Sequence, residues 1–382
     1  MDYFITNGRV YHNHTFENRV IHVVDGKIRL CTEDQIPQGA QIVDAGGMHV
    51  VPGFIDIHTH GAVGVDVNSA DARGLHTIGK FFASNGTTAW LGSVLTDTVE
   101  QTEHCIRQFK AYEALETEDA AELLGIHLEG PFLASEYKGA MPEHLLHQGN
   151  VRLLRRYQNL AEGRIKYVTV SPEVPGVNEM IPEAKEMGIR VGIGHSGATY
   201  DQAIEAIDRG ACLATHVCNA MRLFHQHEPA IMGAVLERDD VYCEMICDGR
   251  HLVPPTVRLL TKIKGMDRVI GITDSIMAAG LPDGRYHLGV NDVVVEDGDA
   301  KLASNGVRAG STLTLNRGLK NMAAFTGKPL EQVIPALTEN PAKLLGMDDR
   351  IGFIDDGMDA DLVFLNDQRD VVRVFVKGRP IT

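Results

Sequence analysis

The sequence predicts an α/β protein: a (β/α)₈ TIM-type barrel with a small β-domain built from both chain termini. Three observations predict it. Apolar, strand-sized segments alternate with amphipathic helical ones through the middle of the chain. Both ends are instead rich in short strands joined by turn dipeptides. Nearly every central strand candidate also ends in a residue able to bind a metal or move a proton.

The first 50 residues open with FITNGRVY and VIHVVDGKIRLC, whose Asn7-Gly8 and Asp25-Gly26 are dipeptides suited to tight hairpins. The C-terminus repeats the style in ADLVFLN (360–366) and VVRVFVKGRPI, with Lys377-Gly378. The expected division is residues 1–51 and 353–382 for the two parts of the β-domain, and 52–352 for the barrel.

Between them lie about eight strand candidates: 51–60, 87–93, 123–130, 167–173, 190–196, 213–219, 241–249 and 268–275. Segments of helical period, such as TVEQTEHCIRQFKAYEAL, YDQAIEAIDRG and VRLLTKIKG, lie between or after them. Strands this apolar, alternating with helices, call for a parallel sheet covered on both faces. A doubly wound open sheet would need a Gly-rich phosphate fingerprint after its first strand, and the sequence has none there.

Length and composition agree. The 382 residues, 44% hydrophobic and 23% charged, suit one large domain plus a small satellite. The apolar stretches are too short to span a bilayer, and the N-terminus lacks a basic region followed by an apolar one, so a cytoplasmic protein is expected. The six cysteines show no CxxC pair and read as free thiols. A formal charge of −15 argues against a nucleic-acid surface. An acidic protein that handles an anion needs a locally positive pocket.

The strand ends carry the chemistry. In a (β/α)₈ barrel the C-terminal strand ends share one face, where the active site lies. His58 and His60, Glu129, Glu173, His195, His216, Asp248 with His251, and Asp274 would then converge. His58 and His60 are two apart on an extended segment, so both imidazoles point to one face as a metal clamp. Glu129, in HLEGPF, is a carboxylate at an apolar barrel mouth and needs a cation or a proton. An ion pair with a barrel Arg or Lys is the other reading. His127 shares its face and reads as barrel-lining. Glu129 with His195 (GIGHS) and His216 (ATHVCNAM) makes a one-carboxylate, two-histidine set, the pattern of a catalytic zinc-type site with a position left open for water. Asp274, in ITDS, is placed either to exchange a proton with that water or to cap a helix.

In order, PGFIDIHTHG, HLEGPF, GHSGATY, THVCNAM followed by HEPAIMGA, DGRH, TDSIMAAG and AGSTLTL span about residues 51 to 316. This series resembles the motifs of the N-acetylglucosamine-6-phosphate deacetylases of the amidohydrolase superfamily. The resemblance implies hydrolysis of N-acetylglucosamine 6-phosphate to glucosamine 6-phosphate and acetate. It implies a divalent ion on Glu129, His195 and His216, with zinc expected first and Fe, Mn or Co also suited to the ligands. Asp274 becomes general base and then acid. Asn219, the backbone at Ala220, and His251 hold the sugar phosphate or its neighbouring hydroxyls. Some members lack the HxH histidines and keep one metal; here His58 and His60 are intact, so one or two ions are accommodated. A homodimer with a small amino sugar phosphate as partner, and neither nucleic acid nor membrane, is implied as well.

Two departures bear on specificity. Met141, in KGAMPE, stands where the family has a substrate-contacting histidine, and His144 is the nearest imidazole. His227, in HQHEPA, stands where the family has a phosphate-binding arginine contributed across the dimer; Arg222 and Arg250 are the candidates to compensate. The acetamide chemistry is therefore better supported than phosphate specificity. The galactosamine epimer, an unphosphorylated N-acetyl amino sugar and an N-acyl amino acid remain alternative substrates. A non-catalytic binding protein on the same barrel is the rival of another class.

Overall fold

The computed structural model describes residues 1–115 and 117–381. Eight parallel strands form one continuous ladder in chain order: β1 (Phe54–Thr59), β2 (Thr87–Leu95), β3 (Glu122–Glu129), β4 (Ile165–Val170), β5 (Arg190–Ile193), β6 (Leu213–Ala214), β7 (Tyr242–Ile246) and β8 (Val269–Ile272). The ring closes between its first and last members. Asp274 N donates to His58 O at 2.9 Å, and His60 N to Ser275 O at 2.7 Å. The Asp56 carboxylate, buried beside this seam, accepts from Thr273 Oγ1 at 2.6 Å.

Helices cover the ring because their apolar faces need a partner. Ala72–Ser84 buries Leu75, Ile78, Phe82 and Ala83, and starts where Asp71 accepts from Gly74 N. The three helical segments expected from periodicity form as Val99–Tyr112, Tyr200–Arg209 and Pro254–Lys264. Thr199 and Gln202 close a capping box at the start of the second. Trp90, Phe82, Ile106 and Phe109 pack together in the layer between ring and helices.

The termini assemble two further sheets. One orders Lys27–Cys31, Val20–Val24, Asp2–Thr6 and Ile42–Asp44. The other places Leu362–Leu365 antiparallel to His49–Pro52, so the two chain ends share a sheet. Asp25-Gly26 and Lys377-Gly378 adopt positive φ at both positions (50° and 77°, 47° and 76°), as a tight hairpin turn requires. Asn7-Gly8 does not make a hairpin. Asp2–Thr6 and Arg9–His12 lie in different sheets, and the chain crosses between them there. A β-carbon on Gly8 would stand 2.9 Å from Val50 Cγ2, so close backbone approach explains that glycine. The hairpin in this region turns instead at Asn13-His14 (φ 48° and 61°).

Two further expectations change. The strand candidates at 167–173, 190–196, 213–219, 241–249 and 268–275 end early, at Val170, Ile193, Ala214, Ile246 and Ile272. Two residues past three of those ends, His195, His216 and Asp274 take left-handed backbone angles (φ 48°, 29° and 48°), which extended strand cannot continue through. A three-stranded antiparallel sheet, Gly284–Leu288, Asn291–Glu296 and Asp299–Leu302, follows β8 and was not expected from the sequence. Its Leu288, Val293, Val295, Ala300 and Leu302 pack with Leu95, Leu133 and Met141.

Candidate active site

Five side chains from the rims of β1, β3, β5 and β6 and one from beyond β8 meet at the C-terminal mouth of the barrel. The Glu129 carboxylate stands at the centre. Its Oε1 lies 3.1 Å from His195 Nε2 and 3.1 Å from His216 Nε2, and those two nitrogens are 3.0 Å apart. Its Oε2 lies 3.1 Å from His60 Nε2. His60 Nε2 is in turn 3.3 Å from His58 Nε2 and 3.2 Å from Asp274 Oδ1. The donors fall into two groups, Glu129–His195–His216 and His58–His60–Asp274, with Glu129 reaching both.

The surrounding hydrogen bonds fix which ring nitrogen carries the proton. His195 Nδ1–H donates to Tyr137 O at 2.8 Å, His60 Nδ1–H to Ser93 O at 3.1 Å, and His58 Nδ1–H to Glu244 Oε2 at 3.0 Å. With the proton held at Nδ1, each ring can present an Nε2 lone pair to the centre. Bare lone pairs and carboxylate oxygens packed about 3 Å apart in a buried space repel one another unless positive charge lies among them. Nitrogen and oxygen donors in this two-histidine, one-carboxylate pattern fit a divalent cation. The residues present therefore fit the metal that the sequence predicts.

Electrostatics say the same. Burial alone would push the Glu129 carboxyl up, but the surrounding imidazoles of His58, His195 and His216 hold it well below the usual carboxylate range. Burial likewise opposes ionised Asp274, and His58 and His60 outweigh it, so this carboxyl also stays below its ordinary value. Burial disfavours imidazolium at His58 and His60. The facing carboxylates overcome that, driving His58 well above its ordinary value and His60 to about 9. The cluster attracts positive charge, and a metal ion satisfies it in place of protons.

His127 is different. Burial first, then the neighbouring imidazoles, hold it well below the ordinary histidine value, so it is neutral. It bonds Ser93 Oγ at 2.8 Å and Thr169 Oγ1 at 2.9 Å and stacks on Tyr167 with ring centres 3.9 Å apart. That fits its expected barrel-lining place. Glu173 bonds Ser196 Oγ at 2.7 Å and Gly197 N at 2.5 Å, away from the donor cluster. Lys166 sits at the start of β4, at the strand end opposite the donors, with its Nζ on Gly163 O at 3.0 Å.

A cavity of about 330 Å³ opens over the donors and is lined by His60, Glu129, His195, His216 and Asp274 together with Asn219, Ala220, His251 and Met141. His251 Nδ1 is held by Asp248 Oδ2 at 2.7 Å. Met141 is buried in the apolar cluster beneath the three-stranded sheet. His227 does not line this cavity; it lies on an exposed loop with Leu223 and Phe224. Arg222 on that loop pairs with Glu228.

Three functional features escaped the sequence reading. Glu244, wholly buried in the middle of β7, accepts both from His58 Nδ1 and from His216 N at 2.9 Å. The signal was there: a charged residue inside the apolar run VYCEMIC. Tyr137 and Gly139 hold His195 from outside the barrel, and a β-carbon on Gly139 would stand 3.2 Å from His195 Cε1. Arg308, carried in beside the three-stranded sheet, also lines the cavity.

Comparison with known proteins gives a consistent result. The model of the amidohydrolase family matches residues 49–381. N-acetylglucosamine-6-phosphate deacetylase of Bacillus subtilis is 37% identical over 295 residues, 77% of this chain and 74% of that relative. N-acetylgalactosamine-6-phosphate deacetylase of Escherichia coli O157:H7 is 32% identical over 297 residues, 78% of each chain. Among solved structures, N-acetylglucosamine-6-phosphate deacetylase from Pasteurella multocida superposes with a TM-score of 0.94 at 29% identity, covering 100% of this chain and 99% of that one.

Proposed function

The chain belongs to the amidohydrolase family, and from that premise we propose that it hydrolyses the acetamide of N-acetylglucosamine 6-phosphate, releasing acetate and glucosamine 6-phosphate. The observation that carries this reading is the Glu129 carboxylate set between two groups of metal donors, with Asp274 beside them at the mouth of one cavity. Glu129, His195 and His216 would hold the principal divalent ion, zinc by donor type, and His58 and His60 a second. When bound, such a cation supplies Lewis acidity to the amide carbonyl and lowers the pKa of water towards about 7.

The chain's own groups do the rest. Asp274, held as a carboxylate by His58 and His60, takes a proton from the attacking water. The same carboxyl then delivers that proton to the amide nitrogen as the C–N bond breaks, so that the amine leaves neutral. Asn219, the backbone at Ala220, and His251 line the cavity where they would orient the sugar. Met141 and Leu95 give its wall an apolar part able to receive the acetyl methyl group. The barrel and the β-domain from both termini divide the chain near residues 51 and 353 in this reading, and a homodimer is the expected assembly. No helix among the described residues is long and apolar enough to cross a membrane.

The E. coli relative favours one second reading, the galactosamine epimer of the same substrate. Both are tested by kcat/KM on N-acetylglucosamine 6-phosphate, N-acetylgalactosamine 6-phosphate, N-acetylglucosamine and an N-acetyl amino acid, with metal loading defined. The highest value is expected for the first sugar. A preference for the amino acid would overturn the amino-sugar reading, and no hydrolysis of any amide with metal bound would overturn the enzyme.

A further inference from the structure

We infer that Arg308 supplies the fixed positive charge that recognises the phosphate of the substrate, within the same chain, at the rim of the cavity. This deepens the phosphorylated-sugar reading above and rests on it.

The starting point is a deficit. A phosphate monoester carries up to two negative charges, and the chain as a whole carries a formal −15. Binding such a group needs a local reversal of sign. Of the two arginines that the sequence offered, Arg222 is paired with Glu228 and lies outside the cavity wall, as does His227. Arg250 also lies outside the wall, with its guanidinium on Asp297 O. Among the described residues lining the cavity, Arg308 is the sole arginine or lysine.

Its setting is built rather than incidental. Arg308 grips Asp299 side-on, Nε to Oδ1 at 2.7 Å and Nη2 to Oδ2 at 3.0 Å. Nη1 reaches Arg250 O at 3.3 Å, on the residue adjoining His251. A guanidinium has five N–H groups. Three are used here, which leaves one N–H on each Nη. Such a pair makes a fork able to receive two oxygens of a phosphate. Asp299 anchors more than one cation: Lys301 Nζ is 3.1 Å and Arg250 Nη1 3.8 Å from its Oδ2. Three cations thus surround the Asp299 carboxylate; Asp248, the other acid that acts on Arg308, is itself paired with His251. The hydrogen bond from Arg308, chiefly, holds the Asp299 carboxyl down at about 2, so the anchor stays ionised across the working range.

The test compares wild type, Arg308→Met and Arg308→Lys on N-acetylglucosamine 6-phosphate and on N-acetylglucosamine, with inorganic phosphate as a competitive inhibitor. The ratio of the two kcat/KM values is expected to fall about 10- to 100-fold in Arg308→Met, mainly through KM, as loss of a charge-assisted bond predicts. The Ki for phosphate should rise in parallel, and Arg308→Lys should recover part of both effects because it restores charge without the fork. An unchanged ratio in a variant that melts like wild type overturns the assignment. So does an equal fall on both sugars, which would mark Arg308 as a support of the neighbouring sheet. If wild type itself shows no preference for the phosphorylated sugar, the phosphate half of the underlying reading falls and takes this inference with it. A phosphate-preferring wild type with an indifferent Arg308→Met removes this inference alone. Should Arg308→Met not fold, the same ratio and Ki in the neutral Arg308→Gln decide: a fall in the ratio with a raised Ki supports the assignment, and values equal to wild type overturn it.

Discussion

Replacing Glu244 probes whether the metal donors are oriented from behind. Its Oε2 takes two hydrogen bonds, from His58 Nδ1 at 3.0 Å and from the backbone N–H of His216 at 2.9 Å, and the residue is fully buried. One carboxylate oxygen thereby fixes the proton on one donor ring and the backbone position of another in the second group. Hydrogen bonds to a charged acceptor contribute about 1.5–3 kcal/mol each. Loss of such an outer partner typically weakens metal binding by about 10- to 100-fold, or about 1.4–2.8 kcal/mol. Glu244→Gln keeps the shape and one acceptor oxygen, so a loss near tenfold is expected. Glu244→Leu leaves both donors unpaired in a buried place, and about 100-fold is expected. Competition against a chromophoric chelator, with elemental analysis of the dialysed protein, reads both affinity and stoichiometry. The affected ion should be the one on His58 and His60, so stoichiometry drops before the Glu129–His195–His216 group empties. If Glu244→Leu folds and binds its full complement of metal with wild-type affinity, the orienting role is refuted.

Two further outcomes follow from the same geometry. Asp274→Asn should retain metal and lose turnover by about 10²- to 10⁴-fold, since proton transfer is removed and the donors at Glu129 remain; near-normal kcat would take Asp274 out of the reaction. Asp361, buried with one oxygen on Lys377 N at 2.7 Å and the other unpartnered, has its carboxyl pushed up to about 7 by burial first, with Asp359 and Glu122 adding to it. Between about 3.9, the unfolded value, and about 7 the folded chain holds a proton that the unfolded chain has released. Stability therefore falls as pH rises through that window and is flat above it. Asp361→Asn should raise the Tm at pH 8 and change it little near pH 4; an equal shift at both pH values would contradict the buried-charge account.

The sequence made the donor set legible because each donor stands at or just past the end of an apolar strand, and strand ends in a parallel barrel must share a face. Glu129, His195, His216 and Asp274 could be named without coordinates for that reason. Where the ladder stops was less visible. GIGHS, ATHVCNAM and ITDS look extended to Ser196, Asn219 and Ser275, whereas the left-handed angles at His195, His216 and Asp274 break the strands earlier. Local pattern does not encode a non-glycine residue held at positive φ; the surrounding packing imposes it. Glu244 was hidden by context: a lone acid within a buried strand acquires meaning only when His58, 186 positions away, is found beside it. Arg308 was hidden by topology. The sheet at 284–302 has to fold back over the mouth before the arginine following it can reach the cavity. Asn7-Gly8 shows the converse error, where a favourable turn dipeptide served a crossing between sheets.

The seam where Asp274 N meets His58 O and His60 N meets Ser275 O has a consequence for assembly. Glu129, His195 and His216 come from the middle of the ring, so a chain still lacking its final strand already owns one set of donors. Asp274 and the paired imidazoles of the first strand face each other only after the circle is joined, across more than 200 residues of intervening chain. On the proposed roles, one group of donors thus depends on strands within the ring and the other on the joining of its two ends.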